Sequence, residues 1–170
     1  MNFVQLDKNT GDKRLKAACL KEGIVECDLL PRELRDEKDA IVLEYAIRNE
    51  FVTFTFDHEI HYDCSRILAG RNPGILILRQ DEAVLQQINT KTAPQHLRRF
   101  KESFPDWHAV PCRNSVLELT PTCISLFHSL ATEPALTYFT DWQSSGWQSA
   151  LIAHLEANAA GNPILRGSDS

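Results

Sequence analysis

The sequence predicts an α/β protein in which a mostly parallel central sheet lies between layers of helices. Strand-like and helix-like segments alternate along the first part of the chain, which is typical of this class. The run at residues 51–56 is apolar, aromatic or β-branched on both of its alternating faces. Such a strand is usually covered by helices on both sides. We therefore expect a three-layer α/β sandwich.

The first half of the chain supplies most of the predicted alternation. Apolar residues at spacings of three and four indicate helices, and short apolar runs between polar turns indicate strands. Asp39 is expected to be the N-cap of the second helix. The inner face of that helix is predicted to comprise Ile41, Val42, Tyr45 and Ala46. In order, the predicted elements are strand 2–6, helix 13–22, strand 24–27, a loop at 29–38, helix 40–49 and strand 51–56.

The second half is predicted to begin with a short helix at 62–69 and a buried strand at 74–78. A helix over 81–104 follows, with a break before Pro94. Residues 107–112 and 115–119 are expected to form a hairpin, and Pro111 favours the sheet edge for it. Helices are predicted at 122–131 and 143–159. The expected organisation is therefore a domain at 1–120 and a C-terminal helical extension and tail at 121–170.

Composition narrows the compartment and the partners. The chain has 170 residues and a formal net charge of −5, so any contact with nucleic acid needs a local basic patch or a metal ion. The five cysteines are an odd number without a Cys-x-x-Cys pair, which favours reduced thiols and a cytoplasmic protein. The N-terminal residues lack the features of a signal peptide, and no apolar run approaches the length that spans a bilayer. No membrane partner is expected.

Acidic residues follow the predicted strands at the point where each strand ends. Asp7 follows the first strand, and Asp57 and Glu59 follow the third, while Asp39 opens the helix that leads into the third. In a doubly wound sheet the first and third strands are often neighbours, and sites form beyond the carboxyl ends of strands. Carboxylates crowded together repel one another unless a cation neutralises them. Mg²⁺ or Mn²⁺ is the ion that suits an all-oxygen set of ligands.

Four motifs in order resemble the PIN-like domain family of the DUF5615 type, whose members are often proposed as toxins of toxin–antitoxin pairs. The family opens with a strand and Asp-Glu-Asn-Leu, matched here by residues 7–10. An acidic helix start with Ile-Leu-x-Tyr-Ala is matched by 39–46, and Thr-x-Asp-x-Asp-Phe by 55–60. A strand with Pro-Gly, then Ile or Val, then Ile-Leu-Leu-Arg is matched by 73–79. The resemblance covers roughly residues 2–120, with a looser match at 107–119, and no counterpart is identified for 121–170.

The resemblance implies a PIN-like sandwich and a metal-dependent endoribonuclease. Carried over by position, Asp7, Asp39 and Asp57 would be metal ligands and catalytic residues, with Glu59 as a fourth catalytic acid. Thr55 and Asn9 would support the site. Lys8 and His58 are further candidates for contact with the substrate, from their own chemistry and position.

Two positions depart from the family's pattern. Lys8 stands where the family has Glu, which removes an acid and adds a cation, although a lysine at this point can also contact a phosphate. Glu59 stands where the family has Asp, which keeps the charge on a longer side chain. A catalytically weakened PIN-like module that binds a protein partner is therefore an alternative to the enzyme.

Each candidate residue also has an ordinary structural interpretation. Acids commonly follow strands or cap helices, which would account for Asp7, Asp39 and Asp57 without any site. The pair His58 and His61 beside Asp63 suggests zinc only weakly. The basic residues near 13–16 and 98–101 are explained either as a rim for RNA or as solvated helix faces.

The predicted partners are an RNA substrate, a small DNA-binding antitoxin and a second copy of the chain held through the C-terminal helices. A small α/β hydrolase or nucleotide-handling domain is a third functional class. The chain contains none of the glycine-rich phosphate motifs or the Gly-x-Ser-x-Gly motif that the common members of this class carry.

Overall fold

A computed structural model of the chain describes residues 2–5, 12–24, 27–55, 71–78, 93–106, 109–120, 123–128, 136–140 and 145–161. The strands are β1 (Asn2–Gln5), β2 (Cys27–Leu29), β3 (Phe51–Thr55), β4 (Ile75–Leu78), β5 (Ser115–Leu119), β6 (Cys123–His128) and β7 (Leu136–Thr140). The α-helices are α1 (Asp12–Lys21), α2 (Asp39–Arg48), α3 (Ala93–Ser103) and α4 (Trp147–Ala159), and a short 3-10 helix spans Arg32–Leu34.

The strands form one seven-stranded sheet in the order β2-β1-β3-β4-β5-β6-β7. The first five strands of this order pair in parallel, and β6 and β7 are added antiparallel. The parallel part has the order 2-1-3-4-5, one of the two common orders of doubly wound sheets. The prediction of an α/β protein with a mostly parallel sheet is confirmed.

Two groups of apolar side chains, one on each face of the sheet, hold the helices. On one face Phe54, Leu76 and Leu117 belong to a large core that also contains Cys19 of α1, Phe100 of α3 and Leu151 of α4. On the other face a smaller group joins Leu43 of α2 to Ile75, Ile77 and Val116. The alternation along β4 produces this division, because Ile75 and Ile77 point away from Leu76 and Leu78. The strand β3 is buried on both faces, as the sequence predicts for the run at 51–56.

Elements of the first half lie close to their predicted places, with three local errors. The second strand lies at Cys27–Leu29, later than the predicted 24–27, because Ile24 instead turns back to bond the carbonyl of Cys19 and enters the core. The buried residues of α2 are Val42, Leu43 and Ala46, whereas the predicted Ile41 is 45% exposed. Asp39 is the first residue of α2 and Lys38 precedes it as the N-cap, so the expected N-cap role of Asp39 is wrong by one position.

Elements of the second half differ more from their predicted positions and types. Residues 109–112 form no strand, and β5 lies between β4 and β6, so the predicted hairpin at the sheet edge is wrong. Residues 123–128 form β6, so the predicted helix at 122–131 is wrong, and β7 was not predicted. The final helix is confirmed over Trp147–Ala159. The predicted helix at 62–69 and the first half of the predicted helix at 81–104 lie outside the described residues.

Candidate functional site at the carboxyl edge of the sheet

The strands that precede the predicted acids are neighbours in the sheet. β1 and β3 run parallel with Gln5 opposite Phe54, so both strands end at the same edge. Asp7 lies two residues beyond the end of β1, and Asp57 lies two residues beyond the end of β3. The adjacency of the first and third strands, which the sequence predicts, is confirmed. It establishes the edge at which the two acidic segments leave the sheet.

The start of α2 lies at this same edge. Asn49 and Glu50 alone join α2 to the beginning of β3, so the helix runs back along the strand. A helix of 10 residues is about 15 Å long and a strand of 5 residues about 16 Å, so the first turn of α2 is level with the end of β3. An edge-to-face contact between Tyr45 and Phe51, with ring centroids 6.0 Å apart, fixes the two elements together. Asp39 is exposed on this first turn.

Thr55 is the other predicted site residue within the described part of the chain. It is 2% exposed at the last position of β3. Its neighbours in register are Ile77, then Glu118, then Ser125, across β4, β5 and β6. Residues opposite one another share a face, and Ile77 packs with Leu43 of α2. Thr55 therefore lies on the face that α2 covers, the helix that begins with Asp39.

Glu118 is a buried carboxylate that the sequence analysis does not single out. It is 7% exposed at the last but one position of β5, with Ser125 opposite it at 3%. A charged residue is seldom buried without a partner, and Glu118 does make an interaction within the structure. The sequence offers one signal for it: Glu118 is the single acid inside the otherwise apolar run at 116–119. It brings an acidic group to the α2 face, two strands from Thr55.

The remaining predicted residues are outside the described part of the chain, and their predicted roles stay predictions. They are Asp7, Lys8, Asn9, Asp57, His58 and Glu59, together with His61 and Asp63 of the weak zinc alternative. Among the described residues no group of three or more histidine, cysteine or acidic side chains is arranged to hold a metal ion.

Two basic residues of α3, Arg98 and Lys101, form hydrogen bonds within the protein. The guanidinium of Arg98 donates to Glu102 at 2.8 Å and to Glu22 at 3.1 Å, and these hydrogen bonds raise the pKa of Arg98. The ammonium of Lys101 donates to the carbonyl of Gly23. Glu22 and Gly23 follow the end of α1, at the opposite edge of the sheet from the acids. These contacts favour the interpretation of this segment as a helix face bonded to α1 over that of an RNA rim.

A shallow groove of about 440 Å³ opens at that opposite edge. Its floor is apolar, with Phe104, Val110 and Ile152, and its rim carries Asp106 and Glu156. Trp147 is buried edge-on against Phe104, with ring centroids 5.6 Å apart, and belongs to the core. The groove is thus separate from the edge at which Asp7, Asp39 and Asp57 are expected to meet.

Comparison with known proteins adds no relative. No protein-family model matches the chain, and searches of curated proteins and of solved structures return no match. Among the helices that the structure describes, none is long and apolar enough to cross a membrane.

Proposed function

We propose that the chain is a metal-dependent endoribonuclease of PIN type that uses the carboxyl edge of β1 and β3, and that it acts as the toxin of a toxin–antitoxin pair. The observation that supports the proposal best is the parallel pairing of β1 with β3, each followed two residues later by an aspartate. Ligand sites of doubly wound sheets form at such edges, next to the point where the strand order reverses.

The donor chemistry of the proposed site fits a hard divalent ion. Asp7, Asp39 and Asp57 offer only carboxylate oxygens, which Mg²⁺ and Mn²⁺ prefer. Such an ion supplies activation of water and stabilisation of the leaving oxygen in phosphodiester hydrolysis. The N-terminus of α2 points to the same edge, and its partial positive charge suits a phosphate group.

The other predicted residues have supporting roles in this proposal. Glu59 is a fourth acid that accepts a proton or orients water. The hydroxyl of Thr55 and the amide of Asn9 hold the acids in place. Lys8 and His58 contact the phosphate of the RNA, with Lys8 acting as a compact positive charge.

The experiment is a cleavage assay on mixed RNA substrates with Mg²⁺ or Mn²⁺. Wild-type protein is expected to cut RNA, to stop when EDTA removes the ion, and to lose at least a hundredfold in rate when Asp57→Asn removes one carboxylate. Asp106→Asn is the matched control, because Asp106 is an exposed acid at the opposite edge, on the groove. Full activity of Asp57→Asn would exclude this site, and equal losses in both variants would exclude a specific role for Asp57.

A catalytically weakened module that binds a protein partner is the second candidate. The presence of Lys8 where the family that the sequence resembles carries an acid favours it, because a lysine at this point weakens cation binding. This candidate predicts that Lys8→Glu increases the affinity for Mn²⁺ measured by calorimetry, while wild-type protein binds the ion too weakly to measure.

A further inference from the structure

The strand β7 forms one end of the sheet. It pairs with β6 over residues 136–140, and none of the other described strands lies on its far side. An edge strand presents unpaired backbone N–H and C=O groups that can pair with another strand. Within the part of the chain that the structure describes, the edge at β7 is therefore one at which the sheet can be extended.

The two edges of the sheet differ in how their sequences guard against such pairing. The opposite edge, β2, is 3 residues long, contains Asp28, and is followed by Pro31. Short length, charge and proline are the devices that keep edge strands from joining other sheets. The strand β7 is 5 residues long, Leu-Thr-Tyr-Phe-Thr, and contains no charge, proline or glycine. The contrast marks β7 as an edge that the sequence leaves ready for pairing.

We propose that β7 pairs antiparallel with β7 of a second copy of this chain and so joins two sheets into one across a twofold axis. A second copy suits this edge because it offers a strand of the same length and equal neutrality, so no like charges face one another. Two identical edges related by a twofold axis form a closed interface that involves no further copies. The inference is independent of the proposed nuclease site.

The pairing has a defined register. Only the register centred on Tyr138 sets all 5 residues of one strand opposite all 5 of the other, with Leu136 opposite Thr140 and Thr137 opposite Phe139 of the second copy. Tyr138 then lies opposite itself. Opposed residues of antiparallel strands have Cα atoms about 4.5–5.5 Å apart, which a disulfide can bridge. Two copies of residue 137 would be about 8 Å apart, which is too far for a disulfide.

The first measurement is the mass of the full chain by sedimentation equilibrium. We expect twice the chain mass of 19.3 kDa. The second is mild oxidation of Tyr138→Cys, with Thr137→Cys as the matched control that carries the same five native cysteines. Non-reducing gels are expected to show a disulfide-linked dimer for Tyr138→Cys and none above the wild-type background for Thr137→Cys.

Hydrogen exchange on the wild-type protein provides a readout that needs no variant. Amides of β7 that point away from β6 are expected to be protected at concentrations where the dimer forms and to exchange rapidly after dilution. A wild-type chain that sediments as a monomer would overturn the proposal, even if another protein binds to the β7 edge. A dimer whose β7 amides stay unprotected, or that crosslinks through residue 137 instead of 138, would overturn it as well.

Discussion

Gly74 lies where the chain enters β4, in a conformation and a space that only glycine fits. Its φ is +121°, and a Cβ atom there would lie 2.6 Å from the Cβ of Cys112. The N–H of Gly74 donates a hydrogen bond to the side-chain oxygen of Asn72. Its carbonyl accepts a hydrogen bond from the backbone N–H of Thr53 in the neighbouring strand β3. A side chain at this position would therefore push the start of β4 away from the loop at 109–112.

Gly74→Ala is expected to lower the free energy of unfolding by about 2–5 kcal/mol, because unfavourable backbone geometry adds to overpacking. Gly23→Ala is the control: its φ is +76°, but nothing lies within 4 Å of the added Cβ. That variant should lose only about 1–2 kcal/mol. Urea unfolding followed by circular dichroism measures both, and equal losses would show that the close approach to Cys112 has no energetic effect.

The thiol of Cys112, packed against Gly74, is a buried group whose ionisation is suppressed. Burial raises the pKa of Cys112 from 9.0 to about 12. In the native protein it should therefore react with iodoacetamide at pH 8 far more slowly than the same thiol in urea. Because the folded state keeps the proton over this interval, this group's contribution to stability is complete below pH 9 and is lost as the pH rises toward 12. Rapid labelling of Cys112 in the native protein, detected by mass spectrometry, would contradict this account.

At the scale of elements, α2 illustrates what the sequence can and cannot predict. Its position and length follow from the sequence, but the buried stripe is rotated by one residue from the predicted one. The run from Ile41 to Ile47 is apolar at most positions, so periodicity does not select one face. The short turn to β3, where Glu50 has φ +53°, and the Tyr45–Phe51 contact decide the rotation. Such contacts between elements cannot be obtained from periodicity alone.

The segments at 109–112 and 123–128 show a second limit. A short apolar run is equally compatible with a helix or a strand, and residues 123–128 became a strand because β5 offers them a partner over its whole length. Residues 109–112 resemble a strand in composition, but they turn tightly, with Cys112 bonded to the carbonyl of Val110, and approach Gly74 instead. In both cases the tertiary partner determined the local structure.

Asp39 permits a test at the level of the helix that it begins. As the first residue of α2, its charge interacts favourably with the helix dipole, so Asp39→Asn should lower stability by less than about 1 kcal/mol. The proposed metal role predicts, in addition, at least tenfold weaker Mn²⁺ binding by calorimetry. Asp36→Asn, which changes an exposed acid just before the helix, is the matched control. A small loss of stability with unchanged Mn²⁺ affinity would leave Asp39 only its structural role.

At the scale of the whole molecule, the C-terminal region extends the same sheet and core as the rest of the chain. The predicted division at residue 120 runs between β5 and β6, which pair over five positions. Trp147, Leu151 and Leu155 of α4 belong to the same core as Phe54 and Leu117. A buried Asn158 further bonds α4 to Ser115 at 2.9 Å. Without residues 121–170, residues 1–120 would therefore have an open sheet edge at β5 and an uncovered core face.

Removal of residues 121–170 is therefore expected to prevent folding rather than to release a stable smaller domain. The loss of cooperative thermal unfolding in the truncated chain, measured by calorimetry against the full chain, would support this. A truncated chain with a sharp transition and dispersed amide resonances would show instead that residues 1–120 fold alone.

The candidate site could be predicted in its location but not in its full membership. The first and third strands of an α/β chain tend to be neighbours, and acids directly after them are visible in the sequence; β1 and β3 are indeed paired. The place of Glu118 on the same face as Thr55 could not be foreseen, because it depends on a register that runs across β3, β4 and β5. The order of elements along the chain predicts which strands end at this edge. Only the register between strands shows which residues share a face with Thr55.

The central claim is that this edge binds a divalent ion through Asp57 and its acidic neighbours. Electron paramagnetic resonance of Mn²⁺ titrated into the protein tests it without any assumption about the RNA target. We predict one bound Mn²⁺ per chain in the wild type, none in Asp57→Asn, and one in Asp106→Asn. A wild-type protein that leaves all Mn²⁺ free at millimolar concentrations, or an Asp57→Asn variant that binds it as tightly as the wild type, would contradict the claim.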